Sequence, residues 1–130
     1  MEGHILVAED HEVVSWAYKL LFQLHFPKLV CTVTESWKDT EKELYRTDRA
    51  YEMVLLDLQL SDINVVPKVE QLLTDLPQLK ILVASTSPEK LWGSGLLKLG
   101  VKGYFDKSAP TEELVHAIKT VLEGSVYKSK

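Results

Sequence analysis

Met53-Val54-Leu55-Leu56-Asp57 is the stretch that decides the fold. Its four consecutive apolar residues predict a strand buried on both faces, because a strand with one wet face alternates apolar and polar residues. Such strands are typical of a parallel sheet that helices cover on either side. The stretch ends on a carboxylate, and Ile5-Leu6-Val7-Ala8 ends in the same way on Glu9 and Asp10. We therefore expect two buried strands to deliver acids to one edge of a sheet.

Similar apolar runs alternate along the chain with segments of helical spacing. The predicted strands are Ile5–Ala8, Leu29–Thr34, Met53–Leu56, Lys80–Ala84 and, more weakly, Gly103–Phe105. The predicted helices are Glu12–Phe26, Trp37–Thr47, Val66–Asp75, Pro88–Leu99 and Thr111–Glu123. This order, (βα)5, predicts an α/β fold with a doubly wound, five-stranded parallel sheet.

Composition fits a single domain and excludes several functional classes. The 130 residues are 45% hydrophobic and carry a net charge of -4, so a full core is expected and a basic nucleic-acid surface is not. No apolar run is long enough for a membrane helix or a secretory signal, which predicts a cytoplasmic protein with no membrane contact. The lone cysteine, Cys31, cannot form an internal disulfide and lies in an apolar run, so we interpret it as inert strand filling.

Chemically active side chains follow the ends of the predicted strands. Glu9 and Asp10 follow the first strand, Asp57 the third, Ser85 the fourth, and Lys107 lies just beyond the fifth. In an open parallel sheet, ligands bind outside these carboxyl ends. Clustered carboxylates repel one another and need a divalent cation, and oxygen ligands favour magnesium over zinc. A carboxylate that attacks phosphorus, beside a hydroxyl and an ammonium that bind the transferred oxygens, indicates phosphoryl transfer onto Asp57.

These residues stand in four stretches that resemble a known family. The stretches are Ile5-Leu6-Val7-Ala8-Glu9-Asp10-His11, Val54-Leu55-Leu56-Asp57-Leu58, Ile81-Leu82-Val83-Ala84-Ser85 and Gly100-Val101-Lys102-Gly103-Tyr104-Phe105-Asp106-Lys107. In this order and spacing the chain resembles the flavodoxin-like receiver domain of a two-component response regulator. The resemblance implies a receiver over residues 1–124, and residues 125–130 as the start of a linker or a C-terminal tail.

The resemblance implies a role for each residue of the site. Asp57 would accept a phosphoryl group from a histidine kinase. Glu9 and Asp10 would hold Mg2+ directly or through water, with Asp57 and the backbone carbonyl of Gln59 as further ligands. Lys107 would pair with the phosphoryl group.

The same resemblance implies how phosphorylation is read out. Ser85 would rotate its hydroxyl toward the phosphoryl group, and the rotamer of Tyr104 would follow. The segment from Lys107 to Gly124 is most similar to the NarL-type branch, whose members usually carry a C-terminal helix-turn-helix domain. We therefore expect control of transcription, a homodimer on phosphorylation, and DNA contact only through an output domain that is not in this chain.

Several positions depart from the family pattern. Ser61 and Val65 replace a proline and a glycine in the loop after Asp57, which predicts alternative loop conformations or a different hold on Asp57. Thr86 replaces a small alanine and predicts slower phosphoryl exchange or hydrolysis than in a Thr86→Ala variant. Glu12 replaces a proline, and either adds a carboxylate near the metal or interacts favourably with the helix dipole.

Two helices and the histidines also depart from a simple pattern. The helix Glu12–Phe26 has more apolar positions than one buried stripe requires, so part of it faces either neighbouring helices or a partner. That partner would be a kinase phosphotransfer domain, a second receiver or a DNA-binding domain.

Gly93 and Gly95 predict a short or frayed fourth helix. The histidines show no metal-ligand spacing, and we interpret His11 as a residue that starts a helix.

Two other functional classes remain open from the sequence. One is a hydrolase that forms an aspartyl phosphate on small substrates, but such enzymes usually have a second acid two residues after the nucleophile, where this chain has Gln59. The other is a phosphorylation-independent receiver that acts as a protein-interaction module. The altered loop at Ser61 and Val65 keeps that alternative open.

Overall fold

The structure is a computed structural model that describes residues 2–60, 63–86 and 95–128. Its strands are β1 (Gly3–Ala8), β2 (Leu29–Thr34), β3 (Tyr51–Asp57), β4 (Ile81–Ser85) and β5 (Gly103–Asp106). Its helices are α1 (Glu12–His25), α2 (Trp37–Leu44), α3 (Val66–Asp75), α4 (residues 95–99) and α5 (Thr111–Leu122).

The five strands form one parallel sheet in the order β2-β1-β3-β4-β5. Each face of the sheet has its own core. Alternate strand residues such as Ile5, Val7 and Leu55 pack with α1 and α5, and their neighbours such as Leu6 and Leu56 pack with α2 and α3. Continuous apolar strands are therefore buried on both faces, which confirms the predicted doubly wound fold.

Most predicted boundaries are close to the observed ones, and α2 differs most. It ends at Leu44, three residues before the predicted end at Thr47. Arg46 donates from Nε to Oδ1 of Asp48 over 2.8 Å. Side chains two positions apart do not face each other on a helix, so this ion pair belongs to a turn rather than to a further helical turn.

The predicted helix Pro88–Leu99 is described only in part. Residues 95–99 are helical, and residues 87–94, which include Gly93, lie outside the described residues. The amide of Val101 donates to the carbonyl of Leu96 over 3.3 Å, and the amide of Gly100 donates to the carbonyl of Leu97 over 3.1 Å. Gly100 has a φ of +116°, a conformation that favours glycine and commonly ends a helix.

α1 buries one stripe and leaves a second apolar surface exposed. Tyr18, Leu21 and Phe22 lie in the core, whereas Val13 is 77% exposed and Trp16 is 63% exposed. Leu20 and Leu24 are exposed as well. Neighbouring helices therefore do not cover the surplus apolar positions that the sequence shows. None of the helices in the described ranges has the length and apolar character that a membrane crossing requires.

The segment after α5 packs back onto the sheet. Tyr127 forms a parallel bridge with Gly103 beside β5, and its amide donates to the carbonyl of Lys102 over 2.7 Å. Its hydroxyl donates to Oε2 of Glu113 on α5 over 2.8 Å. Residues beyond Gly124, where we place the receiver boundary, are thus in contact with the domain.

Candidate functional site

The ends of β1 and β5 are joined by a buried ion pair. Glu9 is held just after β1, where its amide donates to the carbonyl of Thr34 over 3.0 Å. Lys107 follows β5, and its amide donates to the carbonyl of Ser85 over 2.8 Å. Nζ of Lys107 lies 2.7 Å from Oε1 of Glu9 and 3.2 Å from Oδ1 of Asp57. One ammonium therefore bridges acids from two different strands, as the sequence predicts for a shared site.

Asp57 ends β3 and is only 2% exposed. Its Oδ1 accepts a hydrogen bond of 2.9 Å from the amide of Gln59. Burial raises the pKa of Asp57, and the Glu9 charge raises it further, against the opposing effects of the Gln59 amide and Lys107. Within residues 2–60, 63–86 and 95–128, its Oδ2 has no hydrogen-bond partner. Burial of a carboxylate oxygen without a hydrogen-bond partner is unfavourable, so this oxygen is suited to bind a cation or to accept a phosphoryl group.

Glu9 titrates in the opposite direction. Its burial disfavours the charged form, but hydrogen bonds from Lys107 and His11 outweigh burial and lower its pKa. Lys107 therefore keeps Glu9 ionised beside Asp57. The two neighbouring carboxyls therefore differ, because the pKa of Asp57 is raised and the pKa of Glu9 is lowered.

His11 was expected only to start a helix, but in the structure its ring also contacts two acids of the site. It is the N-cap residue of α1, as predicted. Its Nδ1 lies 3.0 Å from Oε2 of Glu9 and 3.3 Å from Oδ1 of Asp10. These two acids raise the pKa of His11, chiefly through the contact with Glu9. The spacing rules for zinc ligands did not identify this contact, but its position directly after Glu9 and Asp10 was a signal.

The acids and His11 form a cluster with the dimensions of a metal site. Glu9, Asp10, His11 and Asp57 each offer a ligand atom, and all these atoms lie within 4.8 Å of one another. Three carboxylates and the ammonium of Lys107 leave two negative charges, which one divalent cation would neutralise. Together with the unpartnered Oδ2 of Asp57, this arrangement fits the expected cation.

The two remaining site residues lie in the sheet beside Asp57. Ser85 is fully buried at the end of β4, one residue beyond Ala84, which pairs with Asp57. Tyr104 on β5 is also fully buried, in the core between the sheet and the α2 and α3 face. Their predicted movements on phosphorylation stay predictions, as does the role of the Gln59 carbonyl.

The loops after β3 and β4 are joined by a contact that sequence reasoning missed. Oε1 of Gln59 accepts hydrogen bonds from the amide of Thr86 over 3.2 Å and from its hydroxyl over 3.0 Å. The sequence predicted only that the bulk of Thr86 would narrow access. No sequence pattern identified the pairing, because its residues are separated in the chain and lie in loops.

Val65, which replaces the family glycine, is accommodated without a positive φ. It has φ -79° and ψ -14°, caps α3 and is fully buried in the core. The loop therefore gains a core anchor at this position. Ser61, the other departure, lies outside the described residues.

Comparison with known proteins decides the family. Residues 5–119 match the family described as response regulator receiver domain. The chain belongs to this family. The receiver predicted from the sequence is thereby confirmed, and receivers of response regulators are signalling proteins.

Individual relatives support the same assignment. The receiver is 28% identical over 129 residues to the oxygen regulatory protein NreC of Staphylococcus epidermidis, and the match covers 95% of this chain and 56% of that protein. The chain thus spans about half the length of this curated relative. NreC is a relative of the NarL type, which favours the branch predicted from the sequence.

Solved structures share the fold. A LuxR-family two-component response regulator from an Aurantimonas species superposes with a TM-score of 0.87 at 21% identity, covering 99% of this chain and 91% of that one. RcsB from Salmonella enterica, bound to a promoter in the presence of phosphomimetic BeF3-, also gives a TM-score of 0.87, at 16% identity, covering 100% of this chain and 64% of that one. At these identities the likeness shows the fold alone.

Proposed function

We propose that this receiver accepts a phosphoryl group on Asp57 from a histidine kinase and switches conformation to control an output. The observation that carries the proposal is the position of Lys107, within 3.2 Å of Asp57 and 2.7 Å of Glu9. An ammonium at this point can meet the phosphoryl oxygens as they arrive. The family assignment supports a kinase as the donor.

The residues divide the chemistry among themselves. One oxygen of Asp57 forms the bond to phosphorus while the phosphorus–nitrogen bond of the kinase phosphohistidine breaks, and the imidazole keeps the electron pair. Glu9 and Asp10, with Asp57 and the Gln59 carbonyl, are the proposed Mg2+ ligands. Bound Mg2+ would neutralise charge on the transferred oxygens. Before transfer, Lys107 holds Glu9 and Asp57 in place, and afterwards it pairs with the phosphoryl group.

The proposed switch runs through β4 and β5. The phosphoryl group adds a charge of about -1.5 to -2, which would attract the hydroxyl of Ser85. Ser85 and Lys107 are already joined through a backbone hydrogen bond, so movement at either residue reaches β5, which carries Tyr104. Allosteric coupling is typically about 1 to 3 kcal/mol, whereas reversing a 1:99 equilibrium takes about 5.5 kcal/mol. Dimerisation is therefore proposed to supply the remainder.

The proposed output is transcription, through a DNA-binding domain that lies outside this chain. Support comes from the oxygen regulatory protein NreC, of which this chain covers only 56%. The net charge of -4 argues against DNA contact by the receiver itself. The exposed apolar face of α1 is suited to a protein partner. Cytoplasmic location is part of the same proposal.

A phosphorylation-independent interaction module is the alternative function. The hydrogen bonds between Gln59 and Thr86 favour it, because they tie together two loops beside Asp57. In that case the same fold and the apolar face of α1 would serve binding without phosphoryl transfer.

The test is intact mass after incubation with acetyl phosphate and Mg2+, with the same samples run on a sizing column. We expect one phosphoryl increment, which is lost in Asp57→Asn and in the presence of a chelator, together with an increase in apparent size. Asp48→Asn, on the exposed turn after α2, is the matched control and keeps the increment. No increment with acetyl phosphate or a kinase would favour the interaction module.

A further inference from the structure

We infer that His11 is a ligand of the divalent cation and that it shifts the preference of the site from Mg2+ toward first-row transition ions such as Mn2+. The inference rests on the proposed function, in which Glu9, Asp10 and Asp57 hold a cation. It goes further because it assigns a nitrogen ligand and a metal preference. The oxygen ligands alone would favour magnesium.

The distances around Nδ1 of His11 have the spacing of adjacent ligands on one ion. Nδ1 lies 3.0 Å from Oε2 of Glu9 and 3.3 Å from Oδ1 of Asp10. Two neighbouring ligands at about 2.1 Å from an octahedral ion are about 3.0 Å apart. The imidazole nitrogen and the two carboxylate oxygens are thus close enough to share an ion without large movement.

A second observation points to a ligand at this place. Asp57 is 2% exposed, contributes an atom to the same cluster, and its Oδ2 has no hydrogen-bond partner among residues 2–60, 63–86 and 95–128. Lys107 supplies one positive charge against three carboxylates. A divalent cation would therefore balance the remaining negative charge of the cluster and give Oδ2 of Asp57 a partner.

The backbone holds His11 in position for this role. His11 has φ -90° and ψ 112° at the start of α1, and its amide donates to Oε2 of Glu9 over 3.1 Å. The ring is thereby directed at the acids from the rim of the site. Its side chain is 68% exposed, so an ion can reach the cluster from solvent past the ring.

The chemistry of the ligands sets the preference. Imidazole suits zinc, copper, iron and nickel, whereas carboxylate, carbonyl and water suit magnesium, calcium and manganese. One nitrogen ligand among several oxygen ligands therefore increases the affinity for transition ions. Mg2+ gains least from this nitrogen, because it loses its bound water reluctantly. Mn2+ accepts both ligand types and can be observed directly, so it is the probe of choice.

The experiment records nitrogen couplings to bound Mn2+ by pulsed electron paramagnetic resonance at about pH 8, where an ordinary imidazole is neutral. Wild-type protein is prepared with natural nitrogen and with 15N in histidine only. We expect a directly coordinated 14N signal that changes to 15N with the label. Because this comparison needs no substitution, it does not depend on the folding of a variant.

Competition between Mn2+ and Mg2+ then measures the preference in His11→Ser, since serine is a favoured residue at the N-cap position that His11 occupies. We expect Mn2+ affinity to fall by about tenfold, with a much smaller fall for Mg2+. His25→Ser, at the exposed far end of α1, is the matched control and leaves both affinities unchanged.

The outcomes separate this inference from the proposed function. Bound Mn2+ without a histidine nitrogen coupling, or an unchanged Mn2+ to Mg2+ ratio in His11→Ser, would overturn the role of His11 and leave the acid site standing. If neither ion bound the wild-type receiver, the metal site of the proposed function would fail as well.

Discussion

Two links at the carboxyl edge of the sheet join its loops in different ways. The ends of β1 and β5 are linked by charge, because Lys107 contacts the buried Glu9. The loops that follow β3 and β4 are linked by neutral hydrogen bonds between Gln59 and Thr86, both exposed. Asp57 contacts both links, through Lys107 of the charged link and through the amide of Gln59 of the neutral link.

The two links are expected to affect different properties of the site: the charged link its ionisation, and the neutral link access to Asp57. The charged link favours the ionised forms of Glu9 and Asp57, which a phosphoryl acceptor and its cation require. The neutral link between Gln59 and Thr86 joins two loops next to Asp57 without adding charge. Substitutions in the charged link should therefore change stability and metal response, and substitutions at Gln59 or Thr86 should change the rates of phosphoryl transfer and loss.

Removing the charge that joins β1 and β5 should have the largest effect. Lys107→Met leaves the buried Glu9 and Asp57 without their ammonium, and we expect the free energy of unfolding to fall by about 3 kcal/mol. Urea denaturation without divalent ions measures this, and millimolar Mg2+ should restore part of the loss. The exposed Lys98→Met is the control. Equal stability of Lys107→Met and wild type would refute the charged link.

Val65 tests whether the loop between β3 and α3 is anchored in the core. Its side chain is fully buried, so Val65→Ala should lower the free energy of unfolding by about 2 kcal/mol. Val65→Gly, the family residue, should lower it by about 0.5 to 1 kcal/mol more through backbone entropy, because φ is -79° and gains nothing from glycine. A Val65→Gly receiver as stable as wild type would show that the loop needs no anchor.

Asp57→Asn should stabilise the metal-free receiver at neutral pH, because burial raises the pKa of Asp57 and so makes its ionised form unfavourable. The pKa is higher in the folded state than its ordinary 3.8, so the penalty exists above the folded pKa. It decreases as the pH falls below the folded pKa and is absent below the ordinary value of 3.8. Denaturation across this pH range measures the difference between the two proteins.

Metal response and a matched aspartate check the same prediction. Mg2+ should stabilise wild type more than Asp57→Asn. Asp48→Asn should give no such gain at neutral pH, since Arg46 holds the pKa of Asp48 down at about 2. If Asp57→Asn were less stable than wild type without metal, the assigned direction of the Asp57 pKa would be wrong.

The contact between Gln59 and Thr86 should have the smallest effect. Thr86→Ala should speed loss of the phosphoryl group by about threefold, the equivalent of one modest hydrogen bond. In a Gln59→Ala background, which keeps the backbone carbonyl, Thr86→Ala should add little. Decay of the phosphorylated mass measures the rates. Equal rates in wild type and Thr86→Ala would remove the proposed restriction of access.

Much of the fold could be predicted because its signals are local and repeated. Apolar runs such as 53–56 specify strands buried on both faces, and Gly100 marks a helix end. The early end of α2 could not be predicted, because the turn that follows it, where Arg46 pairs with Asp48, leaves no periodic signal in the sequence.

The acids and Lys107 could be predicted because parallel strands place their carboxyl ends at one edge. The structure brings Glu9, Asp57 and Lys107 together as expected. The ring of His11 on the acids depends on backbone angles at the start of α1, and the contact of Gln59 with Thr86 depends on two loop conformations. Neither leaves a periodic signal in the sequence.

The central claim is that Asp57, and no other acid of the cluster, carries the phosphoryl group. Reduction of the phosphorylated receiver with borodeuteride converts an aspartyl phosphate to deuterated homoserine, which peptide mass spectrometry can locate. We predict the label at position 57 only, dependent on Mg2+. A label at Glu9 or Asp10, or a phosphorylated protein with no label at position 57, would contradict the account.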